Sequence, residues 1–501
     1  MEEKSTIKSK MDRGTHLSSS RKCRGQECLA KVILAPMVRG SELAFRTLVR
    51  KNGIRQCYSP MLRATEIVKA YQVYNAAKEE SRKCQKTLRL DDVLSQLSHE
   101  DGKLLLTDIL LDKEPLTVQM CGFCPTTLQA AIHALMELQH SSGGIAIQLQ
   151  TSRNIESQTT FQPQPHIVGI DFNLGCPQSC AFHGNFGAFL AENDPNLTIK
   201  CVEAMKQALE DFFSGEDYSQ SQSKRPKLSC KIRLRKTYKD TLDFANELIL
   251  AGCQVLAIHC RHRVEKHNGH PDLDVGRRLV QELPIPVIVN GCIIQSLQDL
   301  ENSVIDMGSC LDENDGTDGG STVHGIMIGR KLLENPMLFT NQLAEPANLA
   351  AEYLDCVEQY PPPSPLYIQK HLRWIFRSFL DVQSHPKPLA SSRKEHVALI
   401  NSQATRNRDY SDWRTRLWTF LVRPFLTTLG QFRQIVCLYV ILSGSTMPPS
   451  LAFIPKPTFK SIRHGQNEGE IRNYDPRGYD ENEESRAGDE GPNEMMINLF
   501  Q

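Results

Sequence analysis

The segment HIVGIDFNLGCPQ, residues 166–178, decides how this chain is expected to fold. A mostly apolar run from Ile167 to Phe172 leads directly into the turn-forming residues NLGCP. Strands without regular polar alternation are buried on both faces, which is typical of parallel sheets covered by helices. The segment therefore predicts a parallel strand that ends in a turn carrying Cys176. Because free cysteine is usually a small buried side chain, the role of this thiol depends on its surroundings.

Seven other segments have the same character, and each precedes a helical pattern: VILAPM (32–37), CYSPM (57–61), LTVQM (116–120), LSCKIRL (228–234), VLAIHCR (255–261), PVIVNG (286–291) and GIMIGR (325–330). The first of these helices is expected to be capped by Ser41 and to end at Gly53. Eight strand-then-helix units predict an α/β protein with a (β/α)8 barrel. An open doubly wound sheet remains the alternative, since a sequence does not show closure.

The domain boundaries follow from changes in composition. We expect a disordered tail at 1–29, the barrel at 30–345, a small all-α domain at 346–446 and a disordered acidic tail at 447–501. Polar surface insertions, partly disordered, are predicted at 78–114, 141–165, 214–227 and 306–321. PPPSP (361–365) is read as a linker. The helices after it are expected to be interrupted at Pro424 and Gly430 and to present a basic side that includes Lys370, Arg373, Arg377, Arg414, Arg416, Arg423 and Arg433.

Charge and cysteine content restrict the class of protein. Of 501 residues, 58 are Lys or Arg and 58 are Asp or Glu, but residues 468–501 hold ten acids against three arginines. The remaining body is thus basic, which fits a polyanion-binding protein or an ordinary cytosolic enzyme. The 16 scattered cysteines favour reduced thiols inside a cell, and CGFC (121–124) has no second pair to complete a zinc site. The N-terminus does not resemble a secretory signal, and the longest apolar run, 435–442, is too short to cross a bilayer.

A (β/α)8 barrel builds its active site at the carboxyl ends of its strands. At nearly every such end predicted here the residues are mostly polar, with one proline, one methionine and two glycines among them. They are Pro36, Met37, Gln119, Asn173, Cys176, Lys231, Arg233, His259, Arg261, Asn290, Gly291, Gly329 and Arg330. Each alone could be a capped end or a satisfied core residue, but the set indicates a site. The dipeptides NG and GR offer backbone N–H groups and a guanidinium for a phosphorylated ligand, or else are a common turn and helix start.

Several segments resemble the tRNA-dihydrouridine synthases: ILAPMVRGSELAFR (33–46), YSPML (58–62), DFNLGCPQ (171–178), HGNFGAFL (183–190), SCKIRL (229–234), AGCQVLAIHCR (251–261), PVIVNG (286–291) and GIMIGRKLLENPMLF (325–339). NLGCPQ followed by HGNFGAFL is similar to the eukaryotic branch that acts at D-loop positions 16 and 17. APMVR is more similar to the branch that acts at 20a and 20b. The resemblance covers most of residues 30–345 outside the insertions.

The resemblance implies FMN across the barrel mouth and NADPH or NADH as reductant. Pro36 and Met37 would back the flavin ring, Gln119, Lys231 and His259 would bond its polar edge, and Asn290, Gly291, Gly329 and Arg330 would hold its phosphate. Asn173 and Arg261 would face the uracil, Cys176 would be the general acid, and Lys370, Arg373, Arg377 and Arg414 would contact tRNA phosphates. Cys260 replaces an expected glycine and would place a larger side chain beside the flavin.

The expected protein is therefore a monomeric, cytoplasmic or nuclear tRNA-dihydrouridine synthase that needs neither a membrane nor a metal. Two alternatives remain at this stage. A non-catalytic tRNA-binding protein with the same fold would show a degraded cysteine or flavin site. An FMN barrel oxidoreductase for a small molecule would not need arginines on its C-terminal helices.

Overall fold

The computed structural model describes residues 27–85, 88, 90–140, 145–147, 159–161, 166–214, 225–266, 268–307, 323–340, 345–377, 429–443 and 448–452. The expected tails fall almost wholly outside these residues, as do most of the last three predicted insertions. Arg414, Arg416, Arg423 and Pro424 also lie outside them. The strands are β1 Val32–Leu34, β2 Gln56–Tyr58, β3 Leu62–Arg63, β4 Leu116–Cys121, β5 Ile145–Ile147, β6 Thr159–Phe161, β7 Ile167–Leu174, β8 Lys227–Leu234, β9 Val255–His262, β10 Val287–Asn290 and β11 Gly325–Ile328.

Eight of these strands form a closed parallel barrel, in the order β1-β2-β4-β7-β8-β9-β10-β11. Closure is completed where β1 pairs with β11, with Val32 opposite Ile326. The prediction of a (β/α)8 barrel is confirmed, and the open sheet is excluded by this last pairing. The short strand β3 is an addition beside β4, and β5 and β6 form a separate antiparallel hairpin.

Helices follow the barrel strands as the sequence predicts. They are α1 Leu43–Lys51, α2 Ala64–Lys83, α3 Leu90–Ser95, α4 Glu100–Leu104, α5 Pro125–His140, α6 Ser179–His183, α7 Gly187–Asn193, α8 Pro195–Phe212, α9 Tyr238–Leu250, α10 Leu273–Glu282, α11 Leu297–Asp306, α12 Arg330–Glu334, α13 Pro346–Gln359, α14 Pro365–Phe376 and α15 Leu429–Ser443. A π-helical turn covers Leu105–Ile109, and single 3-10 turns cover Arg263–Glu265 and Pro449–Leu451.

Alternation along each strand separates two layers of the core. A small cluster that includes Ile33, Tyr58, Ala257 and Met327 fills the barrel interior. A much larger cluster fills the space between strands and helices, and it includes Leu256, Ile258 and Cys260 of β9. His259 and Arg261 lie two and four positions after Ala257 on β9. Their side chains therefore point to the same side as Ala257, into the barrel, and lie closer to the mouth.

The predicted surface insertion at 78–114 is instead part of the packed body, which corrects that prediction. Leu104, Leu105 and Leu106 are at most 2% exposed. Two acids of the same segment, Asp108 and Asp112, each lie 2.8 Å from the fully buried guanidinium of Arg46 in α1. The acids looked like surface residues in the sequence because their partner lies more than sixty positions away.

The start of α1 also differs from the prediction. Glu42, and not Ser41, occupies the N-terminal cap of α1, and its side chain makes no capping bond. The Asp108 carboxylate accepts the hydrogen bond from the Leu43 N–H, while the Ser41 hydroxyl accepts from the Met37 N–H at 3.0 Å. Gly53 ends the helix as expected, with a left-handed φ of +95°.

The C-terminal helices α13 and α14 pack on the barrel through a buried polar contact, while α15 packs against α13. Glu42 accepts a hydrogen bond from the Tyr353 hydroxyl at 3.0 Å and lies 2.8 Å from His371 Nε2. The His371 ring also stacks on Phe45 at a centroid distance of 4.4 Å. Gly430, expected to interrupt a helix, lies inside the first turn of α15. No helix within the described ranges is long and apolar enough to cross a membrane.

Candidate active site

The pairing of the strands brings the predicted residues together at one end of the barrel. Asn173 of β7 lies opposite Lys231 of β8, and His259 of β9 lies opposite both Arg233 and Asn290. Parallel strands share their carboxyl ends, so these five side chains gather at the mouth. The sequence-based prediction of a polar site at this end is therefore supported by the register of four neighbouring strands.

A chain of buried hydrogen bonds runs from β8 to the mouth. The Ser229 hydroxyl donates to Asp171 at 2.6 Å, and Gln119 Nε2 donates to the other Asp171 oxygen at 2.8 Å. The Asn173 amide then donates to Gln119 Oε1 at 2.8 Å. Burial raises the pKa of Asp171 to about 6. The sequence reading missed Asp171 and Ser229, although Asp171 stands two positions before Asn173 and so points to the same side of β7.

Asn173 shapes the turn that carries the thiol. Its Oδ1 accepts hydrogen bonds from the backbone N–H of Gly175 at 3.2 Å and of Cys176 at 3.0 Å. Gly187 closes over this turn with a φ of +65°, and a Cβ there would lie 2.9 Å from both Cβ and the carbonyl oxygen of Cys176. A side chain at Gly187 would push the turn out of place, so glycine is required there.

Arg233 braces the same turn from the next strand. Its Nε donates to the Gly175 carbonyl at 2.9 Å, and its Nη1 donates to the carbonyls of His262 and Lys266 at 3.2 and 2.8 Å. Burial lowers the pKa of Arg233 to about 10, which still leaves the guanidinium charged at neutral pH. Sequence reasoning identified Arg233 as polar but assigned it no role, because its three acceptors are backbone atoms of distant loops.

The thiol of Cys176 faces a small apolar cluster with Cys180, Cys121 and Phe186. A hydrogen bond with Cys180, together with burial, raises the pKa of Cys176 well above its usual value. The Cys176 thiol is therefore protonated at neutral pH. This is the state that a proton donor needs and that a nucleophile does not have.

Lys231 and His259 occupy the floor of the mouth. Burial, followed by the nearby Arg233 charge, lowers the pKa of Lys231 to about 8. His259 Nε2 lies 3.0 Å from Arg261 Nη1. The Cys260 side chain, between His259 and Arg261, points out of the barrel toward α10. Its sulfur occupies the space that a side chain at Gly276 of α10 would need. The expectation that Cys260 would crowd the cavity is thus wrong, since odd and even residues of a strand face opposite sides.

The corner expected to hold a phosphate consists of Asn290 and Gly291 at the end of β10 and of Gly329 and Arg330 after β11. Asn290 Nδ2 donates to the Met327 carbonyl at 2.8 Å and ties β10 to β11. Gly291 has a φ of +117°, and a Cβ there would lie within 3.4 Å of Arg261 and His259. Gly329 is the N-terminal cap of α12, whose first residue is the exposed Arg330.

The predicted RNA-contacting cations of the C-terminal helices have mixed environments. Lys370 Nζ donates to the Val38 carbonyl at 2.9 Å, so this cation also joins α14 to the loop after β1. Arg377 is exposed and lies over the Trp374 ring at 4.8 Å, while Arg373 is partly exposed. Arg433 lies 3.0 Å from Asp355 and 2.9 Å from Glu358, so its charge is largely neutralised. Across the described residues, no three His, Cys, Asp or Glu side chains come together as metal ligands.

A closed parallel barrel with cationic, amide and thiol groups gathered at the carboxyl ends of its strands defines a (β/α)8 protein with a candidate site at its mouth. A family model described as dihydrouridine synthase matches residues 33–145 and 130–413. The chain belongs to the dihydrouridine synthase family.

Named relatives show a similar extent of match. The mouse protein named tRNA-dihydrouridine(16/17) synthase, NAD(P)(+)-like, is 29% identical over 388 residues, which cover 76% of this chain and 63% of that protein. The human protein named tRNA-dihydrouridine(20a/20b) synthase, NAD(P)+-like, is 27% identical over 352 residues, covering 70% and 83%. The 16/17 synthase of Schizosaccharomyces pombe is 25% identical over 351 residues, covering 68% and 66%. The chain thus spans less than two thirds of the mouse and S. pombe proteins.

Proposed function

We propose that this protein is an FMN-dependent tRNA-dihydrouridine synthase. It would use NADPH or NADH to reduce the C5=C6 bond of uridines in the D-loop of tRNA, at positions 16 and 17. The observation that carries the proposal is the geometry of the Cys176 turn, which Asn173 and Arg233 hold at the barrel mouth beside Lys231. The relatives named for the 16/17 positions support the choice of site on the tRNA.

The residues present fit FMN on two structural grounds. Gly291, with a φ of +117°, and Gly329 place backbone without side chains at the corner where a phosphate is expected and where α12 begins. The Lys231 ammonium makes no hydrogen bond or ion pair with another residue in the described part of the chain, so it is available to a ligand. The residues that would hold FMN are Pro36 and Met37 at the ring, Gln119, Lys231 and His259 at its polar edge, and Asn290, Gly291, Gly329 and Arg330 at the phosphate.

When bound, FMN supplies the two-electron reduction that delivers hydride to C6 of the uracil. The task of this chain is to protonate C5 from the other side of the base, which Cys176 is suited to do because its thiol keeps its proton at neutral pH. Lys231, whose pKa is about 8, is still mainly charged near pH 7 and stabilises negative charge beside it. Arg261 offers a guanidinium to the uracil carbonyls, whereas Asn173 acts by positioning the Cys176 turn.

The proposed function also assigns a role to each part of the chain. Residues 30–345 would form the catalytic barrel, and residues 346–446 would form a helical tRNA-binding unit that uses Arg373 and Arg377. The target uridine must leave its stack to reach the thiol at the barrel mouth, so the enzyme would bind it turned out of the RNA. We propose a cytoplasmic or nuclear location, where tRNA is processed, and a monomeric enzyme.

Position-resolved mass spectrometry of tRNA tests this proposal. Cells that lack the protein should lose dihydrouridine at positions 16 and 17, and the wild type should restore it. Cys176→Ala should restore none, since loss of a general acid lowers turnover by about 10²- to 10⁴-fold. Cys84→Ala, at an exposed thiol after α2, is the matched control and should restore it fully.

The result distinguishes the alternatives as well. Loss at 20a and 20b instead would assign the other branch, which is also represented among the relatives. Dihydrouridine that is unchanged at every position after deletion would refute the proposal. Restoration by Cys176→Ala would refute the role of Cys176 as the proton donor, because the variant would still reduce the uridines.

A further inference from the structure

An aromatic surface lies beside the Cys176 turn and takes no part in the mechanism above. We call it the aromatic rim, and it consists of Phe182, Phe189 and Arg263. The Phe182 and Phe189 rings meet edge to face at 5.2 Å, and the Arg263 guanidinium lies 4.5 Å from the Phe189 centroid. Phe189 packs against the same apolar cluster as Cys176. The rim is therefore continuous with the candidate active site.

Phe182 is not needed by the core. It is 57% exposed, and among the aromatic rings of the described residues it meets those of Phe189 and of His183, the latter at 5.3 Å. Exposing a phenylalanine to water has a cost, and such exposed aromatics frequently mark binding surfaces. Phe182 follows β7, and other strongly exposed apolar side chains also follow barrel strands at the mouth: Val38, Phe123, Val264 and Ile293.

Charge decides which partner suits this surface. Arg263 lies on the rim itself, and Arg233, Arg261 and Lys231 lie inside the mouth. The Glu192 carboxylate accepts a hydrogen bond from the Arg263 Nε at 2.7 Å and helps to hold that guanidinium against Phe189. Aromatic rings with neighbouring guanidinium groups are the combination that proteins use to stack unpaired bases of a nucleic acid.

We propose that Phe182 stacks on an unpaired base of the tRNA that neighbours the uridine entering the Cys176 pocket. The inference rests on the proposed function and adds to it a substrate-positioning residue. A base turned out of its stack leaves its neighbours without a partner, and Phe182 replaces that lost stacking on the rim of the mouth. Arg263 and Phe189 support the Phe182 ring and do not need to contact the base themselves.

Binding and turnover of tRNA by the holoenzyme test the proposal. Phe182→Ala should raise the Kd for unmodified tRNA, measured by gel shift, by about 5- to 100-fold, which is the usual effect of losing one base-stacking aromatic. KM for tRNA should rise in parallel, while kcat at saturating tRNA changes much less. Phe182→Tyr keeps the aromatic face and should recover most of the affinity. Leu250→Ala, at an 86% exposed leucine that ends α9 on the opposite side of the barrel, is the control and should bind like wild type.

The outcomes separate this inference from the proposed function. If the wild type neither binds nor reduces tRNA, the proposed function fails, and the inference fails with it. If the wild type is active but Phe182→Ala binds as tightly, the inference alone is overturned. A fall in kcat with no change in Kd would likewise contradict base stacking, as would a failure of Phe182→Tyr to recover affinity when circular dichroism shows that variant to be folded.

Discussion

Replacing Arg46 by methionine should strongly destabilise the barrel, although Arg46 lies away from the candidate active site. The Arg46 side chain is fully buried and lies 2.8 Å from both Asp108 and Asp112. Methionine fills a similar volume but leaves Asp108 buried without a cation, while Asp112 keeps Arg50 at 2.8 Å. Breaking a buried pair in this way costs about 3–5 kcal/mol. A barrel of about 300 residues then loses about 5–8 °C in Tm, because its unfolding entropy is about 2.1 cal/mol/K per residue.

The pH dependence of that variant has a definite sign. Burial already raises the pKa of Asp108 to about 6, even though Arg46 acts to lower it. Without Arg46 the folded-state pKa rises further above the unfolded value of about 3.9. A carboxyl with a raised folded-state pKa stabilises the fold when protonated and loses that contribution as the pH rises. The stability deficit of Arg46→Met should therefore shrink as the pH falls toward about 6, the folded-state pKa of Asp108 in the wild type, and change little below it.

Urea and thermal unfolding, followed by circular dichroism at pH 5 and pH 7.5, measure both effects. Arg82→Met is the matched control, because Arg82 is 73% exposed and its pair with Glu79 contributes less than about 1 kcal/mol. Adding Asp108→Asn to Arg46→Met should recover part of the loss, since it removes the unpaired charge. The reasoning is refuted if Arg46→Met is no less stable than Arg82→Met at pH 7.5.

Two further predictions concern the site. Cys180→Ala removes the hydrogen bond that raises the pKa of Cys176. The pH profile of Cys176 alkylation, read by mass spectrometry of the modified peptide, should therefore move to lower pH. An unchanged profile would contradict that hydrogen bond. Lys231 loses its proton near pH 8, so FMN affinity measured by flavin fluorescence should fall as pH rises through 8. Lys231→Met should bind FMN more weakly and without this pH step, and a step that persists would assign it to another group.

Local patterns were enough to predict the barrel units and the end of the barrel at which polar side chains gather. All eight barrel strands lie within a few residues of the segments chosen for their apolar, β-branched character. A strand buried on both faces needs such residues whatever it pairs with, so the pattern survives in the sequence alone. The mouth residues were predictable for a related reason, since the side chain that follows the last apolar residue of a parallel strand lies at the carboxyl end of the sheet.

What the sequence could not supply is the identity of partners that lie far apart in the chain. Closure depends on β1 meeting β11 across nearly 300 residues, and the character of segment 78–114 depends on Arg46 meeting Asp108. Arg233 likewise received a role only when its strand placed it beside the Gly175 carbonyl. The sequence by itself determined which segments are strands and which ends carry polar groups, because those properties are local. Tertiary structure alone decided which polar groups are neutralised, which are held rigid and which face the cavity, because hydrogen bonds and charges act only over a few ångströms in space.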